Sequence, residues 1–231
     1  MNTCVVLFSG GLDSTTALVW AKHHYQETHA LSFQYGQRHS IEIDFAEITA
    51  ENLSVPQTVI PIDLKPVGGS SLIDSQMPLP KFNKGQEIPA GPPSTYVPFR
   101  NGIFLAVAAA WAEARGIQDL VVGFNVIDSP EYPDTRPEFV DAMETAINRG
   151  TGTAFSDELF QIQAPFIRKK KAEIILQGLK MGTDYSYAVS CYSGQEIPCG
   201  HCSSCRLRER AWEEAGKRDH LLVRLEKEGK L

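Results

Sequence analysis

The stretch that decides the reading is "CVVLFSGGLDSTTALVW", Cys4 to Trp20. An apolar run, Val5 to Phe8, stops at Ser9-Gly10-Gly11. Leu12 follows, then an acid, Asp13, and three hydroxyls, Ser14, Thr15 and Thr16. Residues 14–25 have helical spacing, with Ala17, Leu18 and Ala21 on one side. A glycine turn between a strand and a helix lets backbone approach anionic oxygens closely. The helix start adds unpaired N–H groups and the positive end of the helix dipole. Ser9, Ser14 and Thr15 contribute further donors. A carboxylate repels phosphate, so Asp13 suits a Mg²⁺ ion or the backbone N–H groups of the loop itself.

Outward from this turn, the pattern alternates. Residues 28–34 and 57–63 read as strands, and 40–53 as an amphipathic helix with Ile41, Phe45, Ile48 and Leu53 as core candidates. Residues 65–98 break the rhythm with Pro, Gly and Ser, which marks a functional lid or a mobile loop. Residues 101–116 form a helix with Asn101 as its cap, and 119–124 a fourth strand. A polar loop over 125–136 leads into a helix over 136–150 with Pro137 in its first turn. Residues 159–165 make a fifth strand and 170–182 the helix after it. The expectation is a doubly wound, parallel, five-stranded α/β sheet over residues 1–185, with a smaller cysteine-bearing subdomain over 186–231.

Composition narrows the function. Of 231 residues, 42% are apolar, enough for a sizeable core, and the net charge of −6 argues against a protein built to grip bare nucleic acid. No run approaches the roughly 18 apolar residues of a membrane span, and the start resembles no signal peptide. A cytoplasmic protein without membrane contact is expected. Dimers are the common default for such enzymes, so a homodimer is expected too.

Neither the lysine-bearing G-x-x-x-x-G-K-[ST] loop nor a G-x-G-x-x-G fingerprint occurs. Ser9-Gly10-Gly11-Leu12-Asp13-Ser14 instead resembles the S-G-G-x-D-S signature of the PP-loop ATP pyrophosphatases, which cleave ATP between its α and β phosphates. The resemblance implies an ATP contact along Phe8–Leu18 and a catalytic part for Asp13. It also implies basic residues from elsewhere, at Arg100 in "VPFRN" and Lys171 in "KAEI". Ser32 to Tyr35, with Phe33 among them, is where such folds receive adenine.

Four of the five cysteines cluster as Cys191-x7-Cys199-x2-Cys202-x2-Cys205. Four thiolates at this spacing suit one tetrahedral ion, with structural zinc the first choice and an iron–sulfur cluster the alternative. His201 lies inside the loop but four sulfurs already satisfy the site. Cys4 reads as an inert strand residue.

Together these motifs resemble the 7-cyano-7-deazaguanine synthase family over nearly the full length. "LFSGGLDSTTAL" (7–18), "FQYGQRH" (33–39), "VPFRN" (97–101), "YPDTRPEFV" (132–140) and "CGHCSSC" (199–205) occur in the family's order. The resemblance implies an ATP-dependent ligase converting 7-carboxy-7-deazaguanine and free ammonia to the nitrile in queuosine-precursor biosynthesis. Tyr132, Asp134 and Arg136 are then candidates for binding the deazaguanine, by stacking, by reading its edge and by meeting its carboxylate. The rivals are a PP-loop tRNA thiolase and an ammonia-dependent ligase acting on another carboxylate. A zinc-stabilised nucleotide-binding or interaction module without catalysis is the reading from a different class.

Overall fold

Strand β1 (Thr3–Leu7) is paired on both edges, and that explains its unbroken apolar sequence. The computed structural model describes residues 2–37, 41–84, 86, 91–127 and 132–231. Arg38 and His39, Ser40, and parts of the expected loops over 65–98 and 125–136 lie outside the described residues. On one side β1 meets β2 (Glu27–Gln34), with Val5 opposite His29; on the other it meets β4 (Asp119–Val121), with Val5 opposite Leu120. β3 (Gln57–Pro61) extends the sheet beyond β2 and β5 (Gln161–Gln163) beyond β4. All pairs are parallel, in the order β3-β2-β1-β4-β5.

Alternation of side chains along β1 feeds two cores. Cys4, Val6 and Phe8 join Ala17, Leu18 and Ala21 of α1 (Leu12–His24), Ala46 and Ala50 of α2 (Ile41–Asn52), and Ile174 and Ile175 of α5 (Lys171–Lys180). Val5 joins Leu105, Ala108 and Ala112 of α3 (Arg100–Glu113) and Val140 and Ile147 of α4 (Pro137–Gly150) on the opposite face. The sheet is therefore doubly wound. Strand order reverses between β1 and β4, and a crevice opens beyond their carboxyl ends, where ligands of such folds bind.

The alternation expected from sequence is present, with shorter ends. β4 stops at Val121 because Gly123 leaves the ladder to press on the backbone of Asp13 and Ser14. β5, an edge strand with β4 as its partner, is correspondingly short. Of the expected core positions on α2, Phe45 is buried, whereas Ala46, Thr49 and Ala50 fill the places beside it and Ile41, Ile48 and Leu53 are only partly covered. The cap expected at Asn101 is not one. α3 begins a residue earlier, after Phe99 at φ 53°, and the N–H of Asn101 donates to Asp134 Oδ2 at 3.0 Å.

Part of the long segment after β3 is packed rather than loose. Ser70, Ser71 and Thr95 are buried, and Phe82 bonds through its backbone to His201 and to the Arg206 side chain. The chain beyond Tyr187 carries α6 (Ser203–Glu214) and α7 (His220–Lys227). Trp212 of α6 lies in the core shared by α1 and α5. Phe45 of α2 packs with Val189, Leu221 and Leu225 around three of the clustered cysteines. Among the described residues no helix is long and apolar enough to cross a membrane.

A buried ion pair ties this segment together. The Arg208 guanidinium donates to both carboxylate oxygens of Asp219 at 2.5 and 2.7 Å and to the carbonyl of Ala188 at 2.5 Å. Asp219 also caps α7 by accepting the Leu221 N–H at 3.0 Å. Asp219→Ala strands a desolvated guanidinium and is expected to cost about 3–5 kcal/mol, read as a lower urea midpoint of unfolding.

Candidate active site and metal centre

The turn after β1 is stapled by its own hydroxyls. Ser9 Oγ and Ser14 Oγ lie 3.1 Å apart, Ser14 Oγ donates to the Gly11 carbonyl at 3.0 Å, and the Ser9 N–H donates to Ser14 Oγ at 3.3 Å. Gly10 has φ 74°, a left-handed conformation that glycine adopts without penalty, and a Cβ there would stand 2.9 Å from the Glu42 carbonyl. Gly11 is the N-cap of α1 and brings no side chain to its first turn, which leaves those N–H groups for a ligand.

A cavity of about 330 Å³ opens on this turn. Phe8, Ser9, Gly11, Leu12, Asp13 and Ser14 line it from the first βα unit, Phe33 from β2, Arg100 and Phe104 from α3, and Lys171 from α5. Lys171 Nζ stands 2.5 Å from Asp13 Oδ2, although 158 residues separate them. The other oxygen, Asp13 Oδ1, is buried without a hydrogen-bond partner. An orphaned carboxylate oxygen facing a phosphate-type turn fits a hard divalent cation.

The remaining positions expected from sequence divide in two. Gly10 shapes the turn but does not line the cavity. Thr15 and Thr16 are buried; the Thr16 hydroxyl lies 3.0 Å from the Leu12 carbonyl and 2.8 Å from Tyr185 OH. Ala17 and Leu18 belong to the core, not to the cavity, because the second turn of α1 faces the sheet. Tyr132 lines the cavity, its hydroxyl 3.1 Å from Thr95 Oγ1 and 3.4 Å from Tyr192 OH. Asp134 and Arg136 are not among the lining residues. A 3-10 turn over Pro133–Thr135 directs the Asp134 carboxylate back onto the start of α3, and Arg136 is the N-cap residue of α4.

The structure adds side chains that sequence reasoning passed over. Tyr35 accepts from Arg100 Nη1 at 3.1 Å, and the guanidinium sits 5.4 Å from its ring centre. Burial pushes the Tyr35 hydroxyl above its ordinary range, against the pull of Arg100. Glu42, half-buried in the first turn of α2, lines the same wall. Burial pushes its carboxyl up to about 7, opposed by the Arg100 charge. In the sequence Glu42 looks like any acid at a helix start. Asn125, beyond β4, donates to the Lys169 carbonyl at 2.7 Å and so braces the approach to Lys171.

The four clustered sulfurs, of Cys191, Cys199, Cys202 and Cys205, lie within 4.8 Å of one another. Tetrahedral bonds of about 2.3 Å place sulfurs about 3.8 Å apart, so the set fits one ion. Backbone N–H groups of Cys199, Cys202 and Cys205 donate to the sulfurs of Cys191, Cys199 and Cys202 at 3.2–3.4 Å. Val189, Ser190 and Tyr192, flanking Cys191, and Ser204, between Cys202 and Cys205, form part of the cavity wall. Cys4 stands apart, fully buried, its thiol pushed up to about 12 by burial.

A parallel sheet of this order, with an S-G-G-x-D-S turn at its switch point, defines a protein of the PP-loop fold. A 4-thiouridine synthetase solved with RNA and ATP shares the fold, with a TM-score of 0.51 at 16% identity over 97% of this chain and 53% of that one. The family described as "Queuosine biosynthesis protein QueC" matches residues 3–216, and the chain belongs to it. A relative from Cellvibrio japonicus named 7-cyano-7-deazaguanine synthase is 44% identical over 218 residues, 93% of this chain and 95% of that protein. One of the same name from Clostridium kluyveri is 43% identical over 98% of this chain and its whole length. These relatives mark the chain as an enzyme.

Metal analysis of the purified protein is expected to find one tetrahedrally bound metal ion per chain. Cys202→Ser is expected to lose it and to lower Tm by roughly 5–15 °C, followed by calorimetry.

Proposed function

We propose that the protein activates 7-carboxy-7-deazaguanine with ATP, joins it to ammonia, and dehydrates the amide with a second ATP to 7-cyano-7-deazaguanine. The observation that carries this reading is Lys171 held on Asp13 beside an uncapped helix start. It supports a role for this distant-helix cation on a leaving pyrophosphate, in a turn that has no lysine of its own. The names of the relatives supply the product, 7-cyano-7-deazaguanine, and the 4-thiouridine synthetase of the same fold was solved with ATP.

A carboxylate resists ammonia because its leaving group would be oxide. Transfer of AMP makes a mixed anhydride with a good leaving group, and ammonia displaces AMP to give the amide. The amide oxygen is adenylated in turn, and loss of AMP leaves the nitrile. Both activations break the same α–β bond of ATP, so one turn serves both.

The first-turn N–H groups of α1 and the Ser9 and Ser14 hydroxyls donate to the departing pyrophosphate, and Lys171 neutralises it. Phe33 and the backbone after β2 receive adenine. Tyr132 stacks on the deazaguanine. Arg100, fixed by Tyr35 inside the cavity, meets the substrate carboxylate in place of Arg136. Asp134 acts through the start of α3, which carries Arg100. A Mg²⁺ held by Asp13 supplies further charge neutralisation when bound. The four cysteines hold zinc as a structural ion, and residues 186–231 form the subdomain it organises on residues 1–185. A thiolase needs a reactive cysteine near ATP, and among the described residues no cysteine lines the cavity.

Incubation with ATP, Mg²⁺, ammonium and 7-carboxy-7-deazaguanine is expected to yield nitrile, AMP and pyrophosphate by mass spectrometry. ADP in place of AMP overturns the reading. Lys171→Ala is expected to lower the rate of carboxylate-dependent AMP release about 10²–10³-fold, by loss of one preorganised charge on the leaving group.

A further inference from the structure

We propose that Glu42 is the general base of this site, the group that takes the protons of the attacking nitrogen. The inference rests on the ammonia-dependent reading above. It starts from a gap in that chemistry. At neutral pH the nitrogen source is ammonium, which has no lone pair to attack with. The nitrogen that enters as ammonium and leaves in a nitrile sheds every proton it carried. A proton acceptor is needed next to the acyl carbon.

Two carboxylates line the cavity among the described residues, Asp13 and Glu42. Asp13 is engaged by Lys171 at 2.5 Å. No histidine lines the cavity among the described residues, and burial holds the Tyr35 and Tyr192 hydroxyls protonated, above their ordinary range. Glu42 is left, and its placement is tight. Its own carbonyl abuts Gly10, 2.9 Å from where a Cβ would stand, so the first turn of α2 is locked to the phosphate turn by backbone. Its carboxylate shares the wall with Arg100 and Tyr35, the pair assigned to the substrate carboxylate. Ammonium drawn to Glu42 therefore lies beside the carbon that Arg100 positions.

The steps balance. An ammonium N–H proton passes to the Glu42 carboxylate, and the freed lone pair forms the C–N bond. The C–O bond to AMP breaks with its electron pair on AMP, and the nitrogen gives up a second proton. In the second cycle one N–H proton leaves as the amide oxygen takes AMP. The last leaves as that C–O bond breaks and the nitrile forms. Glu42 passes each proton to water through the open cavity before taking the next.

The test uses full-length Glu42→Gln and Glu42→Asp. Carboxylate-dependent ATP–pyrophosphate exchange without ammonium reads activation alone, and in Glu42→Gln it is expected to persist within about threefold of wild type. Ammonium-dependent nitrile formation is expected to fall about 10²–10⁴-fold, with Glu42→Asp between the two. Hydroxylamine, uncharged at neutral pH, needs no initial deprotonation, and its hydroxamate is expected to fall by less than about tenfold. Full ammonium-dependent turnover in Glu42→Gln overturns the assignment. So does loss of exchange together with turnover in both variants, which makes Glu42 part of substrate binding or folding. Absence of carboxylate-dependent exchange in the wild type overturns the proposed function instead.

Discussion

Backbone pressed on backbone around one turn is the constraint on which the site depends. The Gly10 position faces the Glu42 carbonyl and Ala46, with 2.9 Å for a Cβ where more than 3 Å is needed. A Cβ on Gly123 would lie 2.8 Å from the carbonyl carbon and oxygen of Asp13. The Val189 N–H closes the third side by donating to the Gly10 carbonyl at 3.1 Å. Helix α2, the end of β4 and the segment before the cysteines thus meet the turn with almost no side chain between them. The start of α1 is held still, and its free N–H groups stay turned to the cavity.

That arrangement explains how charge is distributed. Lys171 reaches the turn from α5, which packs on α1 through Ile174 and Ile175. The cation and Asp13 therefore belong to two helices whose spacing is set by a core. At the far wall Arg100 rests on Tyr35 and Phe104, with Phe104 stacked on Phe33 at 4.2 Å between ring centres. One end of the cavity carries the glycine turn and Lys171, and the other an arginine set among aromatic rings.

The cysteine loop does more than close the chain. Arg208 grips the Ala188 carbonyl and the Asp219 carboxylate, and the residues between Ala188 and Tyr192 run from that grip to the first cysteine of the cluster. Val189, Ser190 and Tyr192 are cavity wall. The buried ion pair and the cysteine cluster flank this strip at its two ends. On the proposed reading, an ion in the cluster would bear on the cavity through the residues beside Cys191.

Contiguous stretches were legible in the sequence alone. Ser9 to Ser14 and the four cysteines announce their chemistry because turn geometry and ligand spacing are local properties. The order of strands and helices was legible for the same reason, since periodicity is read within each element. Lys171 and Arg100 emerged only by resemblance, because nothing local to either marks it as more than a surface charge. Asp134 was misplaced as a lining residue. A polar loop gives no sign of which way a buried carboxylate turns, and here the Asn101 N–H at the start of α3 takes one of its oxygens. Ala17 and Leu18 continue the motif on the faces of Asp13 and Ser14 but lie one turn, about 5.4 Å, further along the helix, where that face packs into the core. Glu42, and the part of the Tyr35 side chain beside Arg100, stayed hidden until packing brought them together. The sequence by itself determined the glycine turn between strand and helix and the four-cysteine set that could hold a metal. Tertiary structure alone decided which distant side chains face that turn, because a side chain's direction depends on the helix crossings and buried contacts that only the folded chain has.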